Sequence, residues 1–267
     1  MPAAKRLMRG RRRFELHHCG SRAGQKRIMS YALRMDFVLI PGAGGAAEYW
    51  ERVVPLLEKA GHRVDAVALP GSDPKAGFSK YADLVVKAIG RRKNVTLVAQ
   101  SLGGFTAPVV CERVKVGELI FVNAMIPNPG ETPGEWGENT GSAAARKKAA
   151  KAGRYSAEFS IETYFLHDLP RGPREAVRDD PRTEAEEIFG EPCKFKRWPD
   201  VPIRVIAGED DRLFPLEFQK KVARDRLGKE VEAIPGGHLV ALSNPRGLVK
   251  VLIGSPSPRP SPEGRGR

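Results

Sequence analysis

The tract Val95-Thr-Leu-Val-Ala-Gln-Ser-Leu-Gly-Gly104 constrains this chain more than any other. Residues 95–99 form an apolar and β-branched run of the kind that is buried on both faces of a parallel sheet. It passes without a loop into Ser101, and residues 102–113 then read as a helix. A turn this sharp holds its central residue under strain and lifts the side chain clear of the backbone. It closes only where the residues two before and two after are small, and here they are Ala99 and Gly103. The same turn puts the Leu102 N–H at a helix amino terminus, aimed at the space where an oxyanion would form beside the serine. Ser101 is therefore the candidate nucleophile and Leu102 a candidate backbone donor. An S-x-G triplet alone would fit any tight turn; its place between a buried strand and a helix gives it meaning.

The surrounding pattern supplies a sheet for that strand. Phe37-Val-Leu-Ile40 is a short apolar run stopped by Pro41-Gly42. A helix is expected over 48–60, ended by Gly61, then a strand over 64–69 and a helix face of Leu84, Val85, Ala88 and Ile89. After 95–99 and the helix 102–113 comes a strand over 118–122. Strands alternating with helices predict an α/β fold, a mostly parallel, doubly wound sheet covered on both faces. The alternation lapses over 126–199, where helix-like pieces stand at 142–152, 156–168 and 183–189. A stretch of roughly seventy residues is too long for one loop of a compact domain, so 126–199 is read as an inserted helical cap. The pattern resumes with a strand over 203–207, a helix near 216–227, a strand over 230–234 and a closing helix over 245–253. The expected core is thus 35–125 with 200–254.

The chain of 267 residues carries a formal charge of +13, which invites a nucleic-acid or membrane-surface reading until the charges are located. Residues 1–34 hold ten basic side chains against one acid and residues 254–267 hold three against one, leaving +2 for residues 35–253. A near-neutral body with basic ends is not a basic binding surface, and no nucleic-acid or membrane partner is expected. Residues 1–34 are read as a disordered basic extension and 255–267 as a disordered Pro/Ser-rich tail, since neither has a period or enough apolar surface to offset chain entropy. Met35 leads directly into the first strand. Three cysteines, at 19, 111 and 193, form no C-x-x-C pair, which argues for reduced thiols in a cytoplasmic setting and against a disulfide framework or zinc site. No window has the roughly 18 apolar residues of a membrane span.

A nucleophilic serine needs a base, and the base an orienting carboxylate. Gly208-Glu-Asp-Asp-Arg-Leu-Phe-Pro215 and Pro235-Gly-Gly-His238 each follow an expected strand, on the side of a parallel sheet where loops build sites. His238 is the candidate base, and Asp210 and Asp211 are competing orienters. The chain order Ser, Asp, His is that of the α/β-hydrolases.

With these residues in place, the body 36–253 resembles the small α/β-hydrolases that include plant methyl-ester esterases and hydroxynitrile lyases, with uncharacterised bacterial members. The resemblance is carried by Phe37-Val-Leu-Ile-Pro-Gly-Ala-Gly-Gly45, Trp50-Glu-Arg-Val-Val-Pro-Leu-Leu57, Ala60-Gly-His-Arg-Val64, the serine turn, Val122-Asn-Ala124, Asp211-Arg-Leu-Phe214 with Glu217-Phe-Gln219, and Gly236-Gly-His-Leu-Val-Ala-Leu-Ser-Asn-Pro245. It implies Ser101 as nucleophile, His238 as base, Asp211 rather than Asp210 as orienter, and an oxyanion hole from the N–H groups of Ala43 and Leu102. The hydroxynitrile lyases it resembles place a lysine beside the catalytic histidine and a threonine in the first-strand loop. This chain has Leu239 and Gly42, which disfavours cyanohydrin cleavage.

The expected activity is hydrolysis of a small carboxylic ester with no metal or organic cofactor. The rivals are a non-catalytic ligand-binding protein on the same fold and a nucleic-acid binder working through its ends. Gly44, Trp136, Tyr164, Phe165 and His167 are candidate pocket residues, although packing within the cap would use the aromatics and His167 equally well. His62, between a helix and a strand, reads as a surface turn residue. Pro41-Gly-Ala-Gly-Gly45 lacks both the G-x-G-x-x-G spacing and a Walker lysine, so it is not read as a nucleotide loop.

Overall fold

A computed structural model describes residues 34–254. Six strands, β1 (Asp36–Ile40), β2 (Arg63–Ala66), β3 (Thr96–Gln100), β4 (Glu118–Val122), β5 (Ile203–Gly208) and β6 (Val231–Ile234), form one parallel sheet in the order β2-β1-β3-β4-β5-β6. Phe37 lies beside Thr96 and Ile40 beside Ala99. This register brings the carboxyl ends of β1 and β3 side by side. From β1 the chain steps one way to β2, and from β3 it steps the other way to β4. The loops that leave β1 and β3 therefore diverge, opening a crevice at this topological switch point.

Alternation along each strand feeds two cores. Val38 and Ile40 of β1, Leu97 and Ala99 of β3, and Leu119 and Phe121 of β4 face the layer that holds α2 (Phe78–Ile89), α3 (Gly103–Cys111) and α8 (Leu216–Leu227). Phe37, Leu39, Val98, Ile120 and Val122 face the opposite layer, with α1 (Val54–Lys59), α9 (Val240–Ser243) and α10 (Pro245–Ile253). The period of two decides which residue meets which layer, and each large apolar side chain so buried is worth about 1.5–3 kcal/mol. Helix α2 offers one stripe, Phe78, Tyr81, Ala82, Val85 and Ile89, at spacings of three and four. Helix α3 is apolar all round except at Thr106, and every residue of it from Gly103 to Val110 is buried.

Between β4 and β5 the chain leaves the sheet to build α4 (Pro133–Thr140), α5 (Ser142–Gly153), α6 (Ile161–Tyr164), α7 (Arg171–Asp179) and a short 3-10 helix, Glu186–Gly190. Several elements differ from expectation. The helix expected over 48–60 is broken into a 3-10 turn, Ala47–Trp50, and α1, because Pro55 lacks an N–H and fits the first turn of a new helix. The strand expected over 64–69 stops at Ala66, and Leu69 instead donates its N–H to the carbonyl of Gly45. The piece expected at 156–168 contains only the single turn α6. Helices α4 and α7 were not expected: Gly134 and Gly137 obscure the first, whose capping box of Thr132 and Glu135 is its sequence signal. His62 is buried rather than exposed; its Nδ1 accepts from the Met35 N–H at 3.1 Å and its ring stands edge-on to Phe37. The expectations for residues 1–33 and 255–267 lie outside the described residues.

The closest approach of one backbone to another at a glycine lies where α3 passes Met125, just before the insertion. A Cβ on Gly104 would lie 1.9 Å from the carbonyl oxygen of Met125, whereas nothing lies within 4 Å of one on Gly172 in α7. Backbone cannot give way as a side-chain end can. Gly104→Ala should therefore cost at least the about 1–3 kcal/mol typical of overpacking, while Gly172→Ala should be neutral or gain up to about 1 kcal/mol. Urea midpoints of the two variants measure the difference; equal midpoints would contradict the close approach.

Candidate active site

Ser101 has φ of +49°, a left-handed conformation that costs a non-glycine residue of order 1–3 kcal/mol unless its surroundings fix it. They do so through both of its peptide groups. Its carbonyl accepts from the N–H groups of Gly104 and Met125, each at 3.0 Å, and its N–H reaches the Val122 carbonyl at 3.4 Å. The small residue required at position 103 has a visible reason: a Cβ on Gly103 would meet the Pro41 carbonyl oxygen at 2.4 Å. Gly42 is equally confined, with Gln100 Oε1 at 2.4 Å and Ser101 Cβ at 2.7 Å from where its Cβ would stand. The β1 loop thus lies directly against the serine.

His238 arrives from the other side of the crevice on the loop after β6. It is fully buried, with Nε2 3.0 Å from Ser101 Oγ and Nδ1 2.9 Å from Asp211 Oδ2. With Nδ1 protonated towards the carboxylate, Nε2 presents its lone pair to the serine hydroxyl; these partners set the tautomer. The rings of Phe165 and Phe214 each lie with their centres 5.2 Å from the imidazole. Asp211 is buried and accepts from the N–H groups of Leu213 at 2.8 Å and Phe214 at 2.9 Å through Oδ1, and from Gln219 Nε2 at 3.2 Å through Oδ2. Asp210 is exposed and accepts from the Gly236 N–H instead. Of the two competing carboxylates, only Asp211 meets the histidine.

Two residues that hold this arrangement were quoted in the sequence without a role. Asn123, fully buried with φ of +46°, donates to the carbonyls of Gly237 at 2.9 Å and His238 at 3.1 Å and accepts from the Gly208 N–H at 2.7 Å. It ties the ends of β4 and β5 to the histidine loop. Gln219 donates from one amide nitrogen towards Asp211, Asn123 and the Phe214 carbonyl. Its sequence signal is a polar residue on the buried side of α8, between Phe218 and Val222. On the opposite flank, Asp168 of the insertion accepts from the Gly237 N–H at 2.5 Å.

The N–H groups of Ala43 and Leu102 both lie in loops that border the serine, and neither donates to a backbone carbonyl among the described residues. A cavity of about 430 Å³ opens at Ala43, bordered by Gly42, Ala43, Tyr49, Gln100 and Leu242 from the core and by Ile161, Phe165 and Val177 from the insertion. Charged residues, Glu48, Glu51, Asp180 and Arg182, stand among its lining, while its walls are mainly apolar. Burial pushes the Tyr49 phenol far above its ordinary range, so that it stays neutral.

Of the five pocket candidates, Phe165 lines this cavity and the other four do not. Trp136 is packed against Phe214 and Phe218 with its indole N–H on the Ile126 carbonyl, which makes it core. Tyr164 is buried in the insertion with its hydroxyl on the Ser156 carbonyl. Gly44 is covered by Arg182 and donates its N–H to Glu184. His167 lies beside Gly237, its Nε2 3.9 Å from Asp168 Oδ1; burial lowers its pKa against the opposing pull of Asp168. Among the described residues no cluster of His, Cys, Asp and Glu could hold a metal ion, and no helix is long and apolar enough to cross a membrane.

Comparison with known proteins agrees with this architecture. The model of the alpha/beta hydrolase family matches residues 37–251. The pyrethroid hydrolase of Sphingobium wenxiniae is 28% identical over 243 residues, which cover 81% of this chain and 86% of that one. The alpha-hydroxynitrile lyase of Arabidopsis thaliana is 27% identical over 250 residues, covering 81% and 95%. The crystal structure of polyneuridine aldehyde esterase superposes with a TM-score of 0.66 at 22% identity, covering 82% of this chain and 98% of that one, a likeness of fold. A family match that spans all six strands and the insertion between them leaves one conclusion: the chain belongs to the alpha/beta hydrolase family.

Proposed function

We propose that this chain, a carboxylic ester hydrolase of the α/β-hydrolase type, cleaves a small ester through an acyl-enzyme formed on Ser101. The observation that carries the reading is the unbroken line from Ser101 Oγ through His238 to Asp211, at 3.0 and 2.9 Å, with the imidazole and carboxylate buried past the carboxyl ends of the strands. Ser101 Oγ attacks the ester carbonyl as His238 Nε2 takes its proton, and Asp211 stabilises the imidazolium so formed. The N–H groups of Ala43 and Leu102 hold the oxyanion; losing one such donor costs roughly 2.7–4 kcal/mol where it has been measured. His238 returns the proton to the departing alcohol, and the acyl group stays on Ser101. Water then attacks the acyl carbonyl with His238 again as base, releasing the acid and restoring the serine hydroxyl. No step calls for a cofactor.

Relatives named as a pyrethroid hydrolase and a polyneuridine aldehyde esterase support ester hydrolysis. The relative named as a hydroxynitrile lyase raises the other reading, which the site favours less. Leu239, not a cation, follows His238 and lines the cavity, and Gly42 has no room for a side chain that could hold a substrate hydroxyl. A departing cyanide would lack a counter-charge beside the histidine.

Only a hydroxyl at position 101 can form the acyl-enzyme. Ser101→Ala should therefore lower hydrolysis of a panel of graded acyl esters by several orders of magnitude while circular dichroism and thermal midpoint stay unchanged. Retention of more than about a tenth of the rate would remove Ser101 from the mechanism. Asp211→Asn should cost on the order of 10⁴ in rate by upsetting the histidine tautomer. Asp210→Asn should be mild, and the opposite ranking would mean that Asp210 orients the base.

A further inference from the structure

The oxyanion loop, residues 42–45, is held from outside the core by one acidic side chain of the insertion. Gly44 and Gly45 have φ of +83° and +68°, conformations that other residues adopt only under strain. Inside the loop the Gly45 N–H reaches the Gly42 carbonyl at 3.1 Å, and from outside it the Leu69 N–H donates to the Gly45 carbonyl at 2.9 Å. The Gly44 N–H points the other way, and at 2.6 Å it meets Oε2 of Glu184, a residue 140 positions along the chain. The other carboxylate oxygen, Oε1, accepts from the Tyr81 hydroxyl of α2 at 2.5 Å. The next residue, Ala185, donates its N–H to the Gly71 carbonyl at 2.7 Å. Gly71 in turn packs so closely on Gly44 that a Cβ there would lie 2.6 Å from the Gly44 carbonyl carbon. Glu184 is thus fixed at both oxygens and on its backbone flank, and what it grips is the peptide next to Ala43.

We infer that Glu184 is a positioning residue for the oxyanion hole, its carboxylate fixing the Gly44 peptide so that the Ala43 N–H faces the carbonyl oxygen of the substrate. The inference rests on the acyl-enzyme reading above. A charge-assisted acceptor suits the task, because its bond to an N–H is roughly twice as strong as a neutral one and so resists rotation of a glycine peptide. A glycine loop left free could turn its amides away, and the donor at 43 would then be lost at the moment charge develops on the substrate. The strap that carries Glu184 also borders the cavity through Asp180, Pro181 and Arg182. Arg182 lies over Gly44 and reaches Glu48 and Asp180. A substrate in the cavity therefore touches the segment that sets the hole, which makes the strap sensitive to what is bound.

The test uses the full chain with p-nitrophenyl butyrate as substrate and an alkyl trifluoromethyl ketone as inhibitor, since the ketone adds to the serine as an oxyanion and reads the hole directly. Glu184→Ala and the space-filling Glu184→Met should each lower kcat roughly 10-fold or more, short of the roughly 10²–10³ for losing a donor outright, with KM within about threefold. The inhibition constant of the ketone should rise by the same factor as kcat falls. Glu184→Gln keeps an acceptor for Gly44 and should hold kcat within about threefold of the parent. A merely structural role would lower the thermal midpoint without moving the ketone in step with kcat, and that result overturns the inference. So does a kcat unchanged in Glu184→Met, the variant that decides the matter should Glu184→Ala fail to fold. A parent chain that neither turns over the ester nor takes up a fluorophosphonate would instead overturn the acyl-enzyme reading, a failure distinct from a Glu184 effect that is absent in an active enzyme.

Discussion

The strained peptide at Ser101 is the constraint on which the rest of this structure depends. A non-glycine residue at φ of +49° persists only because the end of β4, the loop after it and the first turn of α3 hold its two peptide groups. Those bonds require close approach of backbone to backbone, which is why Gly103 lies against Pro41 and Gly104 against Met125. The turn in turn fixes the side of the sheet on which everything else gathers. Ala43 follows β1, Asn123 follows β4, Asp211 follows β5 and His238 follows β6, all at carboxyl ends of parallel strands. The hydrogen bonds of Asn123 then fasten three of those loop ends into one rigid frame. A hydroxyl and an imidazole 3.0 Å apart are the outcome of that frame rather than of any local pairing.

Much of this was legible in the sequence because the signals were local. The strands of the core announce themselves as short apolar runs ended by Pro-Gly or by polar loop residues, and each was expected within a few residues of where it stands. The serine turn was legible because its steric demand falls on two identifiable positions, 99 and 103. The two aspartates could not be separated by spacing physics alone, since one residue of slip in a loop changes which carboxylate turns inward; the resemblance pointed to Asp211, and the geometry brings that residue to the histidine. Asn123 and Gln219 were harder to see. Each is a single polar residue in an apolar stretch, and only the three-dimensional closure of the loops shows that they satisfy buried donors and acceptors that would otherwise be left open.

The insertion was the least legible part, and the reason is physical. Its helices are short, several are rich in Gly, Pro or charge, and α7 has no buried residue at all. Such helices are stabilised by where they dock rather than by propensity, so periodicity marks them poorly. Trp136 and Tyr164 attract notice as aromatic pocket walls, yet Trp136 is core and Tyr164 holds the insertion together. What the insertion contributes to the site is Phe165 beside the histidine, Asp168 on the Gly237 N–H and Glu184 on the Gly44 N–H. The insertion therefore touches both the histidine loop and the loop after β1, while its apolar residues wall the cavity that borders Ala43.

The proposed mechanism depends on one atom, Ser101 Oγ, being the group that takes up the acyl moiety. Incubating the full chain with a fluorophosphonate, then measuring intact mass and mapping the modified peptide, tests this most directly. One adduct per chain is predicted, located on Ser101, with labelling lost in His238→Ala, which leaves no base to accept the serine proton. A chain that stays unmodified, or one that carries the adduct on a different residue, would contradict the account.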